Sequence, residues 1–151
     1  MLDRNLIGKE IFLRREVVER GAILRFAEAT GFLAGDGHPE ALLKKDPDVA
    51  PPMFAMALGV SKRLFEMLKV DPRLVLLGEQ SIDLASDIRA GDELEIATSV
   101  KDLYQRVGTS GMMAFMVIED EGHRLDGSPV FRMRRTFIAR TRPEQAPERS
   151  S

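Results

Sequence analysis

The chain has 151 residues, enough for one domain with one core, and its 22 basic and 24 acidic residues leave a net charge of -2. That balance excludes the basic surplus of a nucleic-acid-binding domain, and the lack of cysteine excludes disulfides, thiolate metal sites and cysteine nucleophiles. The charged start MLDRNLIGKE does not fit a signal peptide, no apolar run reaches the ~18 residues of a membrane span, and a cytoplasmic protein without membrane contact is expected.

In chain order, GKEIFLRRE predicts an opening strand with Ile11 and Leu13 facing one way. EVVERGAILRFAEATG predicts a helix with Ile23, Phe26, Ala27 and Thr30 on one face, and Gly31 stands where a C-cap glycine belongs. GFLAGDGHPE follows as a loop, then PEALLKKDPDVAPP as one helical turn at most. PPMFAMALGVSKRLFEMLKVDP predicts the central helix. Pro51 and Pro52 sit at its start, where a missing N–H costs nothing. Met53 to Val60 carries no charge on any face, so this half is expected to be buried all round. From Ser61 the helix turns amphipathic, with Leu64, Phe65 and Leu68 against Lys62, Arg63, Glu66 and Lys69.

The rest reads as strands. RLVLLGEQSIDL is the first, and in the second Leu94, Ile96, Thr98 and Val100 alternate with polar or small residues. SGMMAFMVIED, apolar on both faces, fits a central strand. EGHRLDGSPV is turn chemistry, with His123 read as solvated in the turn. In PVFRMRRTFIARTR, Phe131, Met133, Phe137 and Ala139 share one face, opposite Arg132, Arg134 and Arg140. A long buried helix followed by four antiparallel strands predicts an α+β hot-dog fold, its sheet wrapped around that helix. Residues 1–142 form this single domain, and 143–151 are expected to be a disordered tail.

RFAEATG, APPMF, LLGEQSIDLASDIRAGDEL and DGSPVFRMRRTFIAR, in this order from about Ile7 to Arg140, resemble the MaoC-like dehydratases. They most resemble the N-terminal, or FAS1-like dehydratase, branch. The resemblance implies a hot-dog fold, a homodimer or a heterodimer with another MaoC-like subunit, and hydration or dehydration of (R)-3-hydroxyacyl thioesters. The acyl group rides on CoA or acyl carrier protein, and neither cofactor nor metal is expected.

Such chemistry needs a carboxylate and an imidazole to activate one water for addition at the β-carbon and to return a proton at the α-carbon. It needs an N–H donor for the enolate-like thioester oxygen, and a tunnel for the acyl chain, which the uncharged half of the central helix is placed to line. Active members carry G-D-x-N-P-(aliphatic)-H. Here Gly35, Asp36, Gly37, His38, Pro39, Glu40 and Ala41 occupy those places. Asp36 takes the aspartate position, His38 replaces the asparagine, and Ala41 stands where the histidine belongs. Where active members have H-G-M, this chain has Pro51, Pro52 and Met53; Pro52 has no N–H, which leaves Met53 or Phe54 as thioester donor.

Each signal has a plainer reading. Gly-Asp-Gly is good turn chemistry, and the arginines Arg132, Arg134 and Arg140 are either a charged sheet face that discourages edge pairing or a cradle for CoA phosphates or a carrier protein. Three functions stay open: a dehydratase or enoyl hydratase or a subunit of one, a non-catalytic acyl-binding subunit beside an intact-motif partner, and an acyl thioesterase.

Overall fold

The computed structural model describes residues 2–31, 46, 48–59, 62–109 and 111–140. Alternation of apolar and polar residues produces five strands: β1 (Glu10–Val17), β2 (Val75–Leu84), β3 (Glu93–Gly108), β4 (Gly111–Arg124) and β5 (Pro129–Arg140). All pair antiparallel in the order β1-β3-β4-β5-β2. β4 is therefore central, as its two apolar faces require. One face of this sheet carries the helices, in the hot-dog arrangement.

Helix α1 (Arg20–Ala29) buries Ile23 and Ala27. It ends at Thr30, followed by Gly31 at φ 71°, the left-handed angle that a C-terminal glycine supplies. The predicted central helix is two pieces: a 3-10 helix, Pro52–Leu58, and α2 (Lys62–Met67). Phe54 of the first piece meets Phe26 of α1 edge-on at 5.6 Å, and Phe65 of α2 meets Phe137 of β5 edge-on at 5.3 Å.

Three expectations change. The uncharged run is not buried all round: Phe54 and Ala55 are buried, but Met53 is 49% and Met56 36% exposed. With three residues per turn, positions three apart eclipse, so both methionines fall on one outward stripe. In β1 the register shifts between Glu10 and Phe12. Ile11 packs against the core while Leu13 is 57% exposed, because the bulge reverses the faces beyond it. Inward positions become Phe12, Arg14 and Glu16. His123 lies in β4, half-buried beside Glu95 rather than in the turn, which runs over residues 125–128.

The core has two apolar halves. One gathers Ile23, Phe54, Ala55, Ile96, Phe131 and Met133; the other gathers Leu64, Leu68, Val100, Met116, Ile118 and Phe137. Among the described residues no helix is long and apolar enough to cross a membrane.

Candidate functional site

The segment leading into the 3-10 helix is stitched to the connection between β2 and β3. Ala50 N–H donates to Ile88 O at 2.8 Å, and Ala90 N–H to Asp48 O at 2.8 Å. Arg89 adds a 2.7 Å bond to Asp46, which holds that carboxyl below the usual aspartate range. These anchors fix Pro51, Pro52 and Met53 at the helix start.

Pro52 offers no N–H. Phe54 donates its own to Pro51 O at 2.8 Å, and its ring is buried. Of the two predicted thioester donors, Phe54 thus spends its N–H inside the segment, while Met53 stands at an exposed edge. Asp36, His38 and Ala41 lie outside the described residues, as does the 143–151 tail.

The predicted phosphate-binding arginines sit on the outer sheet face, on alternate residues of β5. Arg132 pairs with Glu121 at 3.0 Å. Arg134 Nη2 pairs at 2.8 Å with Glu119, which also receives Lys101 at 2.9 Å. Burial works to raise the Glu119 carboxyl, but hydrogen bonds from Lys101 and Arg134 outweigh it and hold the group below the ordinary glutamate range. Arg140, opposite Met113 at the end of β5, is exposed and lines a small cavity with Leu2, Leu68 and Gln105. Arg132 and Arg134 share the outer face with carboxylates, and Arg140 stands apart from them.

The inner face holds a cluster that the motifs did not single out. Arg135 is 4% exposed and Asp120 fully buried, and the two form an ion pair. Thr98 Oγ donates to Asp120 Oδ1. Arg14 Nη1 donates to Thr98 Oγ at 3.1 Å and lies 3.9 Å from Asp120. Its Nη2 donates to the Leu58 carbonyl at the end of the 3-10 helix. The belt thus draws on four strands, β1, β3, β4 and β5, and Gln80 of β2 stands opposite Arg135 in register. Burial pushes the Arg135 guanidinium down and Asp120 opposes this; an arginine so placed still keeps its proton. Arg135 Nε is buried without a hydrogen-bond partner among the described residues.

The signal for this belt was present in the alternation. Phe131, Met133, Phe137 and Ala139 put Arg135 on the apolar face, and Ala114, Met116 and Ile118 do the same for Asp120. Among the described residues, no group of three His, Cys, Asp or Glu is arranged to hold a metal ion.

No curated protein matches the chain in sequence. Solved structures share its fold. The HadBC (3R-hydroxyacyl-ACP dehydratase) complex from Mycobacterium tuberculosis aligns with TM-score 0.67 and 20% identity, over 89% of this chain and 97% of that one. The ChsH1-ChsH2 complex from the same organism aligns with TM-score 0.60 and 16% identity, over 91% and 89%. The R-hydratase PhaJ1 from Pseudomonas aeruginosa gives TM-score 0.57 and 13% identity, over 96% and 92%. Residues 5–133 match the model of the FAS1-like, dehydratase domain region, and the chain belongs to that family.

Proposed function

We propose that the chain is a subunit of an enoyl-thioester hydratase or (R)-3-hydroxyacyl thioester dehydratase, acting on acyl groups carried by CoA or acyl carrier protein. The family match over residues 5–133 carries this reading. Asp36 is the carboxylate of the water-activating pair, with His38 as the substitute base. The Met53 N–H is the thioester donor, since Phe54 spends its own on Pro51.

With Ala41 at the histidine position, full activity requires a second MaoC-like chain that supplies the imidazole. Two observations support such pairing. Strand β2 is an edge of the sheet and exposes Leu76, Leu77 and Leu84, and an apolar edge strand is a template for a second strand. The HadBC and ChsH1-ChsH2 structures are themselves complexes.

The test is hydration of crotonyl-CoA by the chain alone and with an intact-motif partner, with free thiol followed in parallel. Loss of a general base costs about 10²–10⁴-fold in rate, so the chain alone should turn over slowly. Asp36→Asn and His38→Ala should abolish what remains. Robust turnover that survives both substitutions refutes the assignment. Thiol release without hydration identifies a thioesterase instead.

A further inference from the structure

The uncharged helical half that is placed to line an acyl path ends at Leu58 and Gly59, directly on the buried belt. Leu58 gives its carbonyl to Arg14. Gly59 has φ -95° and ψ 175°, angles open to any residue, so its need for glycine is steric. A Cβ there would lie 2.6 Å from both Arg135 Nη1 and Met133 Cε, and 2.7 Å from Arg135 Nη2. At this level the side-chain ends of Arg135 and Met133 lie against the Gly59 backbone, and a methyl group there would have to displace them. The belt is also the boundary between the two apolar halves of the core. Phe54, Ala55, Ile96 and Met133 lie on one side, and Leu64, Met116, Ile118 and Phe137 on the other.

We propose that the Arg14–Thr98–Asp120–Arg135 belt is a stop that limits acyl length. This rests on the acyl-thioester reading above. A chain that runs along Pro52–Leu58 has seven residues of 3-10 helix beside it, roughly 14 Å at ~2 Å per residue. To go further it must part Gly59 from Arg135 and lay methylenes against a desolvated ion pair, whose charges the acyl chain cannot solvate. Short and medium acyl groups fit ahead of the belt, and long ones do not. Arg135 and Asp120 are specificity-determining residues that need not touch the reacting atoms.

The experiment compares binding of butyryl-, octanoyl- and palmitoyl-CoA to the full chain, alone and with its partner subunit. The proteins are wild type and the charge-free double variant Asp120→Leu/Arg135→Met, which removes both ions together so that neither is stranded. Wild type should bind palmitoyl-CoA at least tenfold more weakly than octanoyl-CoA, and the double variant should close most of that gap while butyryl-CoA binding stays within about twofold. Equal wild-type affinity for all three overturns the stop and leaves the acyl-thioester reading standing. An unchanged gap in a folded double variant also overturns it. If that variant does not fold, the wild-type length profile decides alone. Binding of none of the three, with or without the partner, sinks the acyl-thioester reading and the stop with it.

Discussion

Glu119 and Asp120 are neighbours on β4, and Arg134 and Arg135 are neighbours on β5, yet the two ion pairs they make lie on opposite faces of the sheet. Outside, Glu119 is itself only 4% exposed, but it is shared by cations that remain in water, Arg134 55% and Lys101 38% exposed. Inside, Asp120 is 0% and Arg135 5% exposed at the side chain. A one-residue step along each strand converts a carboxylate shared between two partly exposed cations into an ion pair buried on both sides. What an ion pair contributes here depends on the face far more than on the residue types.

The largest test of that contrast is Asp120→Ala, which strands Arg135 in the core. It should cost about 3–5 kcal/mol in urea unfolding, and the Asp120→Leu/Arg135→Met pair should recover most of that. An Asp120→Ala loss no larger than that of Arg134→Ala would erase the distinction between the faces.

Next in size is Gly122→Ala, on the inner face two residues beyond Asp120. An added Cβ would lie 2.7 Å from Cδ1 of Phe131, a ring packed in the core. Overpacking of this kind costs about 1–3 kcal/mol, readable in the same unfolding curves. A neutral result would show that the inner face yields as easily as the outer.

Arg134→Ala should cost less than about 1 kcal/mol, and the loss should shrink further as salt is raised. A large, salt-independent loss would put the outer pair on the same footing as the inner one.

The smallest effect is on pH. Glu119 titrates below its unfolded value, so its contribution is present above that value and is lost as pH falls through the lower, folded one. Wild type should therefore lose part of its stability below about pH 4, and Glu119→Gln should flatten that limb. A Glu119→Gln curve parallel to wild type down to acid pH would remove Glu119 from the account.

Alternation made the strands legible: Leu94, Ile96, Thr98 and Val100 are all buried as read. The division of the central segment into a 3-10 piece and α2 was not legible in its continuous run of helix-compatible residues. Nor was the reversal in β1, where the bulge beyond Glu10 turns Arg14 inward; a period-two pattern cannot show an inserted residue. Arg135 and Asp120 could have been found, since each interrupts an apolar register that its neighbours define. Of the candidate site, the Pro51–Phe54 corner follows from proline chemistry. The roles of Asp36 and His38 came only from the motif.

Strand connectivity also carries a consequence for how the chain assembles in time. β3, β4 and β5 form a meander joined by short hairpins, with pairing that is local in sequence. β1 reaches its place only through contacts such as Arg15 with Glu95, 80 residues away, and β2 must cross to the far side of β5. Closing long loops slows the search, so the meander is expected to form the folding nucleus and the two edge strands to dock afterwards. Substitutions at Ile118 or Met116 should slow folding, with φ-values near 0.5 or above, while those at Phe12 or Ile82 should mainly speed unfolding. Equal φ-values across all five strands would reject this order. The edges, last to arrive in folding, are then the first to leave.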